Sequence, residues 1–125
     1  MDLTYEESPE FQKEFKRLKK RFRSLPDDFV TMKKAAIELI HVHGIDNNSC
    51  FPIPGCVIDG CTTYKIKKFA CRSLRGGASS GLRATYLYFK EMEKVFFLEI
   101  YFKGDKENEN RERIMSYLAA VERES

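Results

Sequence analysis

Residues 94–102 read Lys-Val-Phe-Phe-Leu-Glu-Ile-Tyr-Phe, and no other stretch restricts the fold as much. Aromatic and β-branched residues crowd a segment of strand length, far too short for a membrane-spanning helix. As a strand it sends Phe96, Leu98, Ile100 and Phe102 to one face, and Phe97, Glu99, Tyr101 and Lys103 to the other. The first set is expected to pack on helices and the second to look toward an open face. Two more strand-like segments precede it, Tyr64 to Cys71 and Leu82 to Phe89, with the flexible turn Arg75–Gly81 between them. The polar turn Lys90–Glu93 leads into the last strand. Strands this close in sequence are expected to pair antiparallel.

Helical periodicity flanks these strands. Phe11, Phe15, Leu18 and Phe22 form one apolar stripe over Pro9–Arg23, with Ser8 as N-cap and Pro9 in the first helical position. Its other face carries Lys13, Lys16, Arg17, Lys19, Lys20, Arg21 and Arg23, either a solvated surface or a wider nucleic-acid footprint. Phe29, Met32, Ala36, Leu39 and Ile40 continue the period in a second helix, which starts near Pro26 and stops at Gly44. The short link makes these two helices an antiparallel hairpin. His41 and His43, at its far end, are expected to be structural and partly exposed. Residues 44–63 read as loop, with a short strand near Val57-Ile58. A last helix, about Glu109–Glu122, shows Ile114, Tyr117, Leu118 and Val121 on one face. Leu3–Glu7 suits an edge strand. The expected class is α+β in the order β-α-α-β-β-β-α, a small antiparallel sheet packed against an N-terminal helical hairpin, with a C-terminal helix.

The chain has 125 residues, enough for a single domain over residues 1–125 with a core that needs no staples. Ten Phe and six Tyr exclude an intrinsically disordered chain. The N-terminus is acidic and lacks an apolar signal core, so a cytoplasmic, non-membrane protein is expected. Cys50, Cys56, Cys61 and Cys71 form no CxxC pair, and reduced, packed thiols are expected rather than a metal site. No phosphate-loop motif or carboxylate cluster points to a nucleotide or metal cofactor, and none is expected. Net charge is only +3, but its distribution is uneven. Between Thr62 and Lys90 there is no Asp or Glu, while Lys65, Lys67, Lys68, Arg72, Arg75, Arg83 and Lys90 all fall there. A local positive field on an otherwise acidic chain points to a polyanion, with phosphate the leading choice.

Several strings in this order resemble the RelE/ParE superfamily of bacterial type II toxins. They are Tyr64-Lys65-Ile66-Lys67, Ser80-Gly81-Leu82-Arg83, and the apolar strand Val95–Phe102 followed by the turn Lys103-Gly104-Asp105-Lys106. The opening Tyr5, Phe11, Phe15, Leu18 pattern fits as well, so the resemblance covers nearly the whole chain. The RelE branch implies a metal-independent endoribonuclease that cuts mRNA on the ribosome and inhibits translation. Fixed cations then stabilise the charge that grows on the phosphoryl oxygens as a 2′-hydroxyl attacks. Carried over to this sequence, Lys65 and Lys67 match the strand lysines, one acting as base or charge stabiliser. Mutual crowding of Lys65, Lys67, Lys68 and Arg83 is expected to lower a lysine pKa. Arg83 matches the phosphate-gripping arginine, whose planar fork binds two oxygens at once. A salt bridge from Arg83 to Glu99 is the structural alternative. Lys103 or Lys106 stands in for an arginine after the last strand, and Tyr101 or Tyr117 for a general acid. Lys68, Arg72 and Arg75 extend the RNA-binding rim.

This chain departs from that pattern in two places. Residues 68–79 lengthen the link between the lysine strand and Ser-Gly-x-Arg, and Asp105 lies near the position of the missing arginine. The resemblance also implies a cognate antitoxin as partner, with an acidic segment facing residues 62–90. Two other readings stay open: a ParE-like inhibitor of DNA gyrase, and an inactive member that binds nucleic acid or antitoxin without cleaving.

Overall fold

The computed structural model describes residues 2–67, 69–74 and 80–124. In chain order the elements are β1 (Thr4–Glu7), α1 (Pro9–Arg21), α2 (Leu25–Met32), a π-helical stretch (Lys33–Glu38), α3 (Leu39–His41), β2 (Cys50–Ile58), β3 (Cys61–Ile66), β4 (Leu82–Phe89), β5 (Lys94–Phe102) and α4 (Arg111–Glu124). The strands form one sheet in the order β1-β5-β4-β3-β2. The α+β class therefore stands, but the sheet is mixed rather than antiparallel. β1 lies parallel to β5, with most of the chain as the crossover, and every other neighbouring pair is antiparallel.

One strand more than expected is present. Residues 50–58, expected to be loop apart from Val57-Ile58, form β2 along β3, with an irregularity between Pro52 and Val57. Its prolines are tolerated because β2 is an edge strand, where a missing N–H leaves no ladder bond unmade. β3 starts earlier than expected and ends at Ile66; Phe69 and Cys71, expected in that strand, turn inward and are buried.

α1 forms as its sequence dictates. The Ser8 hydroxyl accepts from the Phe11 N–H at 3.1 Å and donates to the Leu98 carbonyl at 3.2 Å, capping the helix and tying it to β5. The helix ends at Arg21 rather than Arg23. The second helix is not continuous to His43 as expected. It widens into the π stretch, where Lys33 lies over the Tyr5 and Phe29 rings and Glu38 accepts from the Tyr5 hydroxyl at 2.9 Å. Gly44 takes a positive φ of 69° just past α3, as the expected stop requires.

The sheet separates two cores. One face packs on α1 and α2 through Phe11, Phe29, Phe97, Tyr86 and Ile100. The other packs on α4 through Leu87, Leu98, Ile114 and Leu118. The strand alternation expected for β5 is overturned here. The register steps from Thr85↔Glu99 to Tyr86↔Phe97, so Leu98 is an extra residue, a β-bulge. Val95, Phe97, Ile100 and Phe102 consequently share the α1/α2 face, whereas Phe96 and Leu98 face α4. Phe97, expected on the open face, is fully buried and stacks on Phe11 at 5.1 Å. Among the described residues no helix is long and apolar enough to cross a membrane.

Candidate functional site

Strand register decides which of the expected site residues meet. Lys65 lies opposite Thr85, Thr85 opposite Glu99, and Arg83 opposite Tyr101. In a pleated sheet these residues share one face, the α4 side. Lys65, Arg83 and Tyr101 are thus brought together on β3, β4 and β5. Lys67, just past β3, is exposed and lays its ammonium over the Phe51 ring at 4.8 Å. Lys103, just past β5, is exposed and holds the strand end through its N–H to Gly81 at 2.8 Å.

The segment between β5 and α4 closes over this row. Lys106 pairs with Glu99 and lies over the Tyr101 ring. Glu99 is buried and also accepts from the Asn110 N–H at 2.8 Å. Lys65 donates to Glu109 at 2.7 Å, both side chains largely buried. Two expectations change as a result. The nearest charged partner of Lys65 is a carboxylate, not a second ammonium, so crowding of cations is not what it meets. The Arg83–Glu99 bridge does not form, because Lys106 occupies Glu99. Arg83 is half-buried, donates to the Leu82 carbonyl at 3.0 Å, and has no carboxylate partner among the described residues.

Hydroxyls complete the row. Thr63 and Thr85 Oγ1 and Tyr101 Oη are buried without a hydrogen-bond partner among the described residues. Such groups cost stability unless something satisfies them. Tyr101 Oη lacks good hydrogen-bond geometry to any neighbour, yet carboxylates stand nearby. Burial, then Glu109 and Glu99, push its phenol above the ordinary value, and Arg83 only partly opposes them. Tyr101 therefore stays protonated at neutral pH. For Glu109, burial acts to raise the carboxyl, but the hydrogen bond and charge of Lys65, its own backbone N–H and Arg111 hold it below the ordinary value.

Other expected residues go elsewhere. Arg72 turns to α2, where its Nε donates to Asp28 at 3.1 Å, its N–H to Asp28 at 2.9 Å, and its guanidinium reaches Asp27 at 3.4 Å. Since α2 packs on the opposite face, Arg72 clamps a loop instead of extending the row. Lys68 and Arg75 lie outside the described residues. Tyr117 donates to Glu10 at 2.6 Å and packs on Phe96, away from the Arg83–Tyr101 pair. Asp105 pairs with Arg21. His41 stacks on Tyr88 with centroids 3.7 Å apart and shares a 2.8 Å hydrogen bond with the Tyr86 hydroxyl; burial pushes its pKa down to about 4. It is a structural histidine, as expected. All four cysteines are free and buried, and burial pushes Cys50 and Cys61 up to about 11. Among the described residues no group of three His, Cys, Asp or Glu side chains converges.

Sequence reasoning missed Glu109, and considered Glu99 only as a partner for Arg83. Glu109 sits in a run of alternating charges that carries no positional signal. Strand parity alone places Thr85 on the Arg83 side of its strand, without marking it as part of the site. No family model matches the chain, and no curated protein is significantly similar to it.

Proposed function

We propose that this chain is a RelE-like toxin that cleaves mRNA on the ribosome, with Arg83, Lys65 and Tyr101 as its working residues. The supporting observation is the register that gathers these three on one sheet face beside unpartnered hydroxyls. The resemblance of the Tyr64–Lys67 and Ser80–Arg83 strings supports it independently.

In this reading Arg83, which has no carboxylate partner among the described residues, grips the non-bridging phosphoryl oxygens. The substrate phosphate displaces Glu109 from Lys65, whose ammonium then neutralises charge in the transition state. The 2′-hydroxyl loses its proton to solvent as the 2′-oxygen bonds to phosphorus and the bond to the 5′-oxygen breaks, leaving a cyclic phosphate. Tyr101, held protonated, donates a proton to the departing 5′-oxygen. The ribosome orients the mRNA for in-line attack. Lys106 and Lys103 supply further positive charge at the rim, and a cognate antitoxin covers the same face.

A second reading has one specific observation in its favour. Glu109 and Glu99 already occupy Lys65 and Lys106, as suits a member that binds without cleaving. Labelled methionine and thymidine incorporation after induced expression in a bacterial host separates the readings. The nuclease reading expects methionine incorporation to fall first and Arg83→Ala to restore it. A prior fall in thymidine favours gyrase inhibition. No fall with either label, from a folded protein, favours binding alone.

A further inference from the structure

The α4 side of the sheet has a second feature, at the opposite end from the cationic row. A groove of about 570 Å³ opens between the last turns of α4, the β2–β3 turn and the β4–β5 turn. Leu87, Phe89 and Phe96 from the sheet and Ala120 and Val121 from α4 make it apolar, and Met92 stands exposed at its mouth. Its rim is acidic. Glu6, Asp59, Glu91 and Glu124 surround it, and Lys94, the one lining cation among the described residues, is tied to Glu6 at 3.3 Å and lies over Phe89.

We propose that this groove binds a basic amphipathic segment of a partner protein, with large apolar side chains seated on Phe89, Phe96 and Val121 and lysines or arginines on the rim. Charge selects this occupant. The chain as a whole carries net +3, so unspecific attraction favours anionic partners, whereas this acidic rim favours a cationic one. Packing agrees with it. The other face of the sheet is covered by α1 and α2 together, whereas α4 leaves its companion position beside Val121 open. An amphipathic helix laid there completes the layer. An acidic segment suited to the cationic row is repelled from this groove, so the two ends select opposite partners.

The test uses the full chain and three fluorescein-labelled helical peptides. One carries Leu at helical spacing with Lys elsewhere, a second replaces Lys with Glu, and a third replaces Leu with Ser. The Leu/Lys peptide is expected to bind and to shift the methyl resonances of Leu87, Met92 and Val121, with affinity falling as salt rises. Glu91→Lys with Glu124→Lys, both exposed and harmless to folding, is expected to weaken it by about tenfold. Equal or tighter binding of the Glu peptide, shifts confined to other residues, or an unaffected double variant overturns the proposal. So does self-association of the chain that the double variant abolishes, which makes the occupant a second copy docking through its basic α1 face. None of these readouts depends on RNA cleavage.

Discussion

The two faces of this sheet are built from different materials. The face under α1 and α2 is aromatic: Phe97 packs on Phe11 and Phe29 at centroid distances of 5.1 and 5.0 Å, and Tyr86 closes the cluster. The face under α4 alternates between a small apolar core and a polar row in which Glu99 is buried and three hydroxyls lack partners among the described residues. Burying polar groups this way opposes folding, whereas ring packing favours it. One face thus stabilises the domain, and its surplus offsets the cost of the charges and hydroxyls buried on the other.

The largest expected effect tests that division directly. Phe97→Ala removes a fully buried ring from the aromatic face and should cost about 3–5 kcal/mol, read from urea unfolding. Phe96→Ala, its neighbour on the α4 face, is only half-buried and should cost clearly less. Equal losses would mean that the two faces contribute alike and that the contrast is one of composition alone.

Arg83→Ala sharpens the contrast from the other side. The guanidinium makes one hydrogen bond, to the Leu82 carbonyl, and no ion pair among the described residues. Stability should therefore stay within about 0.5 kcal/mol of wild type. If the chain is the proposed nuclease, translation-coupled cleavage should fall by about 10²–10³-fold. A parallel loss of stability would return Arg83 to a structural role.

Local patterns made the helices legible. The Phe11–Phe22 stripe, the Ser8 cap and the Ile114–Val121 stripe all act within one element, where spacing is enough. The sheet was readable only as far as alternation held. At Leu98 no glycine or proline announces the bulge, so the parity read from Phe96 holds as far as Leu98 and runs one residue out of step from Glu99 on. The site shows the same limit. Lys65, Arg83 and Tyr101 were legible as residue types, and the register beyond the bulge does align them. Their partners were not legible, because Glu109 and Lys106 reach the row through a segment whose course no periodicity describes. Arg72 went astray for a similar reason: Asp28 lies 44 residues away in sequence.

Titration gives each face its own acid response. On the aromatic face His41 has its pKa lowered by burial from 6.5 to about 4. Below about pH 6.5 the unfolded chain binds a proton that the folded chain refuses. Stability from this group therefore declines as pH falls from 6.5 toward 4, and then levels. His41→Gln should flatten that limb in pH-dependent thermal unfolding. An unchanged limb would assign it to other groups.

Glu109 reports most directly on the polar row. Its carboxyl is held below the ordinary value of 4.5, so its contribution is present above that pH and is lost as pH falls through the lowered value. Glu109→Gln should cost about 1 kcal/mol or less at pH 7, with the deficit vanishing in acid. Binding should move the opposite way. Freed from its partner at 2.7 Å, Lys65 becomes available to a phosphate. Affinity for single-stranded RNA should rise, and the slope of log K against log salt should steepen by about 0.7, the increment for one more neutralised phosphate. A tighter complex with an unchanged slope would mean that removing a repulsive carboxylate, not recruiting Lys65, accounts for the gain. An unchanged affinity would move the RNA away from Lys65 altogether, leaving Arg83 and the exposed Lys67 and Lys103 as the contact.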